Sequence, residues 1–252
     1  MTAKVNGLYR YPVKGLSPDP LKQVRVNTGE TIAFDRAFAI ENGKHDFDAK
    51  APKHFPKIKF LMLMRDERLA RLATRFDEAT TMLTISEDGR ELARGHLMSE
   101  AGRAAIEAFM TSYMSKELRG EPRIVHAPGF SHSDAPFKLL SIINLATVRE
   151  VEKLIGKPVD PLRFRGNLHL EGLEPWEDHA WLGKSIRIGG ATLKGFHKIQ
   201  RCAATNVNLD SATRDMDIPK TLQRVYDHAD LGLYVEVTDG GLIRDGDTVT
   251  LI

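Results

Sequence analysis

The sequence predicts a mainly β fold with a few helices, and three observations support that prediction. Short runs of β-prone residues, separated by Pro, Gly and Asn, recur along most of the chain. Asp88-Gly89 and Gly189-Gly190 are two-residue sequences typical of tight β-hairpin turns. Few segments show the apolar spacing of a helix. Many short strands at regular spacing favour a β-barrel architecture.

The first third of the chain contains mostly strand signals. The predicted strands comprise residues 5–11, 23–26, 31–34, 38–40, 57–64, 81–86 and 91–93. The run 57–64 is longer and more apolar than its neighbours, so it predicts a buried strand. Leu69, Leu72, Ala73 and Phe76 recur at helical spacing and predict one short helix between the strands.

Three more helices are predicted in the rest of the chain, each from a start or stop signal. Ser99 opens the first, Asn144 caps the second, and Pro219 starts the third. Gly156 is a typical C-terminal signal for the second helix. Further strands are predicted at residues 123–126, 138–141, 168–170, 185–188, 191–194, 233–237 and 248–252.

The order of these elements suggests two β domains joined by a helix. We expect residues 1–95 to form a smaller N-terminal β domain and residues 96–121 to form a helical connector. Residues 122–252 then form a second, barrel-like β domain.

Composition and charge exclude several classes of function. The chain has 252 residues, and 36 Lys and Arg against 34 Asp and Glu give a formal net charge of only +2. We therefore expect no nucleic-acid partner, since such proteins carry a clustered basic excess. No apolar run approaches the roughly 20 residues needed to cross a bilayer, and the first residues lack an apolar signal core. These features predict a cytoplasmic protein without a membrane partner.

The chain contains one cysteine, Cys202. A single thiol excludes an internal disulfide and the usual four-Cys iron–sulfur cluster. Three interpretations remain: an inert buried residue, a nucleophile, or one thiolate ligand to a soft metal. Arg201 lies next to Cys202 in the sequence, and an adjacent cation favours the thiolate. No Gly-rich nucleotide-binding loop is present.

Two other segments place cations where they can meet an anion. Lys14 follows a predicted strand in a turn with Gly15, where backbone amides and an ammonium can converge. Arg163 and Arg165 flank Phe164, and we expect the two arginines to share one face of a strand. Solvated surface charge is the alternative for each segment.

Several short motifs, taken in order, resemble the MOSC superfamily. The motifs are Tyr11-Pro12-Val13-Lys14, Phe34-Asp35-Arg36-Ala37-Phe38, Phe164-Arg165-Gly166-Asn167, the run 177–183 and Arg201-Cys202. The superfamily is named for the C-terminal domain of molybdenum-cofactor sulfurases and includes the mitochondrial amidoxime-reducing components. The resemblance covers nearly the whole chain, with an N-terminal β-barrel domain before the MOSC domain.

The resemblance implies that the chain binds the molybdenum cofactor, Mo-molybdopterin. Cys202 corresponds to the catalytic thiolate that ligates molybdenum. The residues implied to bind the cofactor are Lys14, Gly15, Arg36, Ser141, Arg165, Asn167, Gln200 and Arg201. Gly15 and Gln200 stand where the amidoxime-reducing proteins have serines, so direct hydroxyl contacts are missing at both positions.

The resemblance also implies an oxidoreductase that reduces small N-hydroxylated or N-oxygenated compounds. Because the chain has one Cys, electrons would come from a separate ferredoxin- or cytochrome-like protein. One alternative is a non-catalytic carrier of the cofactor, or a protein that handles sulfur on Cys202. Another is a cysteine hydrolase or transferase, for which His169 and His197 are the nearby candidate bases.

Overall fold

The predicted fold class is confirmed by the computed structural model, which describes residues 2–252. The described residues form fifteen strands, three α-helices and several short 3-10 turns. The strands are β1 (Lys4–Arg10), β2 (Asp19–Leu21), β3 (Gln23–Val26), β4 (Phe38–Asn42), β5 (Ala73–Asp77), β6 (Met82–Glu87), β7 (Arg90–His96), β8 (Pro122–His126), β9 (Leu140–Asn144), β10 (Leu168–Glu171), β11 (Ser185–Ile188), β12 (Ala191–Gln200), β13 (Asp230–Asp239), β14 (Gly241–Arg244) and β15 (Val249–Leu251). The helices are α1 (Glu100–Tyr113), α2 (Leu145–Ile155) and α3 (Ile218–Tyr226).

The largest sheet curls until its first strand in the sheet order, β15, returns to β1. Its eight strands lie in the order β15-β11-β12-β13-β9-β10-β1-β2, and only the β9–β10 pair is parallel among the described strands. The amide of Val249 donates to the carbonyl of Ala3 at 2.9 Å, and the amide of Val5 donates to the carbonyl of Asp247 at 2.9 Å. These bonds bring β15 back to β1, so the sheet encloses a barrel-like core.

Three smaller sheets flank the large one. They are β3 with β14, β4 with β8, and the β5-β6-β7 meander against which α1 packs. Strand pairing crosses the predicted domain limits, because β1 pairs with β10, β3 with β14, and β4 with β8. The division at residues 95 and 122 stays a prediction.

Local signals place the helix ends where the sequence predicts them. The Ser99 side chain accepts a hydrogen bond from the Gly102 amide, and the Asn144 side chain accepts one from the Ala146 amide. Gly156 ends α2 at φ 73°, a left-handed conformation that glycine adopts without strain. Pro219 lies in the first turn of α3.

The strand predicted at residues 57–64 is wrong. Lys57–Lys59 is a 3-10 turn, and Phe60 makes one isolated bridge to Glu41. Leu61, Met62 and Leu63 are buried, so the apolar run marks burial correctly. Within residues 2–252, however, no neighbouring strand pairs with this run through a ladder of hydrogen bonds. The predicted strand at residues 31–34 is also wrong, because that segment is a turn.

The helix predicted around residues 69–76 is wrong as well. Glu67–Arg71 forms a short 3-10 turn, and the chain then extends into β5, which pairs with β6. Leu69 and Leu72 are buried by the turn, whereas Phe76 is buried by strand alternation. Two different backbone conformations therefore produce an apolar spacing that imitates one helix.

Among residues 2–252, no helix is both long enough and apolar enough to cross a membrane.

Candidate functional site

A cavity of about 330 Å³ brings together every residue that the sequence assigns to the cofactor site. Its walls come from the turn after β1, from the segment before β9, from residues 163–167, and from the end of β12. The predicted site residues that line it are Lys14, Gly15, Arg36, Ser141, Arg165, Asn167, Gln200, Arg201 and Cys202. Residues separated by up to nearly two hundred positions thus meet in one place.

The cavity is strongly positive. Among the described residues that line it, seven are lysines or arginines and one is a carboxylate, Asp134. The cations are Lys14, Arg36, Lys57, Arg163, Arg165, Lys198 and Arg201. Because the whole chain has a formal net charge of only +2, this wall concentrates positive charge far beyond the average of the protein. Such a site attracts an anion.

Arg36 and Arg165 share one aromatic support. Their guanidinium carbons lie 4.7 Å and 4.2 Å from the ring centre of Tyr11, which is fully buried. Arg36 Nη2 donates to the carbonyl of Arg165 at 2.8 Å, and Arg165 Nη1 donates to the carbonyl of Leu16 at 2.8 Å. Burial raises the pKa of Tyr11 to about 12, so its ring stays neutral between the two cations.

Arg201 is held by carbonyl groups. Its Nη1 donates to the carbonyl of Phe164 at 2.8 Å, and its Nε donates to the carbonyl of Leu231 at 2.7 Å. Burial lowers the pKa of Arg165 and the pKa of Arg201 to about 10, since neither guanidinium is paired with a carboxylate in the described part of the chain. Both side chains remain charged at neutral pH and can bind an anion.

Lys14 is fixed by the segment that precedes β9. Its ammonium donates to the carbonyl of His132 at 2.8 Å and also pairs with Asp134. Burial lowers the pKa of Lys14, while Asp134 opposes that change. The lysine side chain is therefore buried in the cavity wall, whereas the side chain of its partner Asp134 is 46% exposed.

Lys57 is a site residue that the sequence analysis missed. Its Nζ lies 3.4 Å from Asp134 Oδ2, and it lines the cavity together with Cys202. Burial lowers the pKa of Lys57, but Asp134 and the nearby Cys202 outweigh burial and raise it above its ordinary value. The sequence predicts a buried strand at residues 57–64. That prediction gives no reason to place the Lys57 ammonium near the Cys202 sulfur.

Cys202 is partly exposed at the end of β12. It precedes the 3-10 turn Ala203–Asn206, and its carbonyl accepts hydrogen bonds from the Thr205 amide at 3.1 Å and the Thr205 hydroxyl at 3.0 Å. The turn fixes the backbone of Cys202 and leaves the sulfur in the cavity. This placement disfavours an inert buried thiol.

Ser141 and Asn167 bind each other across the parallel strands. The Ser141 amide and hydroxyl donate to Asn167 Oδ1 at 3.0 Å and 2.9 Å, and the Asn167 amide donates back to Ser141 Oγ at 3.1 Å. Asn167 Nδ2 donates to the carbonyl of Tyr9 at 3.1 Å. Both residues are buried, so this network braces the junction of β1, β9 and β10 below the cavity.

The expectation that Arg163 and Arg165 share a strand face is wrong. Pro161–Phe164 is a 3-10 turn, and Arg165 adopts a left-handed conformation at φ 53°. Arg163 is buried and binds Asp215 through two hydrogen bonds of 2.8 Å and 2.9 Å. The turn still directs both arginines to the cavity, although Arg163 has its charge balanced and Arg165 does not.

Of the two histidines considered as partners for Cys202, only His197 lines the cavity. His169 is buried against Tyr9, with ring centres 4.7 Å apart, and burial lowers the pKa of His169 to about 4. The paired-base arrangement of a cysteine hydrolase gains no support from His169.

Two family models match the chain and together cover almost all of it. The MOSC N-terminal beta barrel domain matches residues 2–121, and the MOSC domain matches residues 130–250. The chain belongs to the MOSC family. The two kinds of domain are those that the resemblance of the motifs predicts, although the N-terminal match runs to residue 121 and includes the segment 96–121 predicted as a connector.

The chain is also similar, at low sequence identity, to several solved structures. The YuaD protein of Bacillus subtilis is 14% identical, with a TM-score of 0.47 over 99% of this chain and 94% of that one. YiiM of Geobacillus stearothermophilus is 24% identical, with a TM-score of 0.36 over 45% of this chain and 53% of that one. YiiM of Escherichia coli is 19% identical, with a TM-score of 0.35 over the same shares. A comparison with curated proteins found no match.

A substitution at Gly15 tests how closely the turn after β1, which lines the cavity, packs against its neighbours. Its φ is +87°, and an added Cβ would lie 2.7 Å from the carbonyl oxygen of Leu61. Gly29 has a similar φ of +69° but no atom within 4 Å of its Cβ position, so Gly29→Ala is the matched control. We expect Gly15→Ala to lower the free energy of unfolding by about 1–3 kcal/mol more than Gly29→Ala, measured in urea. Equal losses would contradict the close packing of this turn.

The Arg163–Asp215 pair gives a second prediction. Asp215→Asn leaves a buried guanidinium without its counter-charge, and we expect the free energy of unfolding to fall by about 3 kcal/mol. Replacing exposed Lys153 by Gln, which removes its pair with Glu150, should cost under about 1 kcal/mol.

The same ion pair makes stability depend on pH. Burial raises the pKa of Asp215, but Arg163 and Asn208 outweigh burial and lower that pKa below its ordinary value. The stabilisation is therefore present at neutral pH and disappears as pH falls through that pKa.

His132 gives a third, pH-dependent prediction. Its ring packs among Phe47, Phe60 and Phe130, and burial followed by the nearby Lys14 lowers the pKa of His132 to about 3. Below the ordinary histidine pKa the unfolded chain gains a proton that the folded chain does not. The free energy of unfolding therefore decreases by about 1.4 kcal/mol for each pH unit by which the pH is lowered. We expect His132→Phe to remove this contribution between pH 6.5 and about 4 in urea unfolding. An unchanged slope relative to His45→Phe, a change at an exposed ring, would contradict the assignment.

Proposed function

We propose that this protein is a molybdenum-cofactor-dependent oxidoreductase that reduces N-hydroxylated or N-oxygenated compounds. The single observation that supports it most strongly is the cavity in which the only cysteine meets seven cations and one carboxylate among the described residues. A soft sulfur beside hard positive donors suits a ligand that combines a soft metal centre with anionic groups. Membership of the MOSC family is consistent with this chemistry.

The residues present fit such a ligand. Molybdopterin carries a phosphate and a dithiolene, and its recognition needs several cations and hydrogen-bond donors. Arg165 and Arg201 are buried cations without a carboxylate partner in the described residues, which leaves their charge available. The cavity volume of about 330 Å³ lies at the lower end of the roughly 300–1,000 Å³ usual for ligand pockets.

Each group of this chain has a distinct task in the proposed reaction. Arg36, Arg165 and Arg201 bind and orient the anionic part of the ligand, and Cys202 supplies the thiolate. When bound, the cofactor supplies two-electron oxygen-atom chemistry. Lys57 holds a proton at Nζ beside the sulfur, because Asp134 and Cys202 keep its pKa raised. Met62 and Leu139 line the same cavity and exclude water from part of it.

Electrons would reach the site from another protein. The sequence has one Cys and no Gly-rich nucleotide motif, so it offers no ligands for a second redox centre of the common types. A ferredoxin- or cytochrome-like donor is the partner we propose. The substrate is a small molecule such as an amidoxime, which takes up two electrons and two protons to give an amidine and water.

A second candidate function is supported by the accessibility of the sulfur. Cys202 is partly exposed beside the Lys57 ammonium. This position suits a thiolate that carries a sulfur atom, or that holds the cofactor before its transfer to another protein. Turnover of an amidoxime with an artificial reductant would refute this carrier-only function. A persulfide on Cys202, detected by mass spectrometry, would favour it.

Metal analysis tests the proposal. Wild-type protein, purified from cells able to make the cofactor, should contain molybdenum and convert benzamidoxime to benzamidine with a chemical reductant. Cys202→Ala should lose the metal and the turnover while keeping the circular dichroism spectrum. Ser211→Ala, at an exposed loop outside the cavity, is the control and should retain both. Wild-type protein free of molybdenum and pterin would refute the proposal.

A further inference from the structure

A second cavity, of about 440 Å³, lies on the other side of the wall formed by Gly15, Leu63 and Arg165. These three residues line both cavities. The Arg165 guanidinium donates to the carbonyl of Leu16, which belongs to the second cavity, so this arginine forms part of the partition. The second cavity has no role in the proposed function.

The walls of the second cavity combine apolar side chains with a comparable amount of polar surface. The large apolar side chains that line it are Leu16, Pro18, Leu63, Leu69, Leu72, Leu162 and Leu209. Leu16, Leu69 and Leu72 are almost fully buried and fix the base of the cavity, whereas Pro18, Leu162 and Leu209 are partly exposed at its wall. A cavity of this size and lining is suited to the apolar body of a small molecule.

The charge of the second cavity is opposite to that of the first. Among the described residues that line it, four are carboxylates and two are arginines. The carboxylates are Glu87, Asp88, Asp160 and Asp210, and the arginines are Arg71 and Arg165. The first cavity instead has seven cations and one carboxylate within the part of the chain that the structure describes.

Three of these carboxylates lack a counter-ion in the part of the chain that the structure describes. Glu87 accepts from the Tyr113 hydroxyl at 3.1 Å and lies 3.4 Å from Arg71, so it is already paired. Asp160 accepts only the Leu162 amide, at 2.8 Å, as the cap of the following turn. Asp88, Asp160 and Asp210 form no ion pair with any residue between 2 and 252. Arg165 is engaged with Leu16 and with the Tyr11 ring.

We propose that the second cavity binds an organic cation with an apolar body, of the amidinium class. The partly exposed Pro18, Leu162 and Leu209 would bury the apolar part, and the three carboxylates would pair with the charge at the mouth. The two adjoining cavities would then sort ligands by charge, with anions in the first and cations in the second. If the proposed function holds, an amidine product carries this charge, and that extension rests on the proposed function.

Three ligands of one shape and different charge test the proposal. Benzamidine is a cation, benzamide is neutral and benzoate is an anion. Titration of each into the full chain with methyl-labelled leucines should show benzamidine shifting Leu162 and Leu209, which are partly exposed at the cavity wall. Leu139, which lines the first cavity, is the internal control. We expect benzamide to bind about tenfold more weakly and benzoate to leave these methyl signals unshifted.

Two pairs of variants locate the binding. Asp88→Asn with Asp210→Asn should weaken benzamidine by about fivefold, whereas exposed Asp239→Asn on β13 should not. Asp160 is left in place because it caps the turn that carries Arg163. Ala73 is exposed and lines the cavity, so Ala73→Phe should fill it and abolish binding, with exposed Ala79→Phe as control. Thermal unfolding of each variant verifies that it is folded.

The outcomes separate this proposal from the proposed function. Equal affinity for benzamide and benzamidine, or no effect of the aspartate changes, would overturn the cation site. Methyl shifts confined to Leu139 would also overturn it. Failure to reduce an amidoxime would count against the proposed function alone, because benzamidine binding requires no cofactor.

Discussion

Two cations of the first cavity, Arg165 and Arg201, are held in place by groups that do not cancel their charge. Arg165 and Arg201 donate to backbone carbonyls of Leu16, Phe164 and Leu231, which fix each guanidinium without neutralising it. Among the described lining residues, Asp134 is the single carboxylate. Buried charge without a counter-charge is costly. An anionic ligand would supply the missing counter-charge, so the site is arranged for binding.

The fold supplies this arrangement through strand ends and turns. The parallel pair β9 and β10 is braced by Ser141 and Asn167, which positions the Arg165 turn above it. Tyr11, at the end of the first strand region, supports Arg36 and Arg165 from below. Because Arg165 also lines the second cavity, one side chain sets the boundary between a positive and a negative site.

The sequence could predict the members of the site better than their conformation. Lys14, Arg165 and Cys202 belong to short motifs whose order resembles a known family, and the structure brings them into one cavity. Lys57 could not be found in this way, because it belongs to none of these motifs. Tyr11 belongs to the first motif, but its role as a support for two arginines arises from contacts between distant segments. The wrong elements share a cause: apolar spacing at residues 57–64 and 69–76 reports burial and carries no information on hydrogen-bond partners. The individual cofactor contacts remain predictions.

Isothermal titration of cofactor-free protein with inorganic pyrophosphate tests the charge of the first cavity most directly. We expect saturable binding of pyrophosphate at one site, stronger than the binding of chloride at equal ionic strength. Arg165→Gln should weaken it by about tenfold, since it removes charge-assisted hydrogen bonds. Arg224→Gln, at an exposed position of α3, should leave it unchanged. Pyrophosphate binding that is no stronger than chloride binding, or that is insensitive to the loss of Arg165, would show that the first cavity is not an anion site.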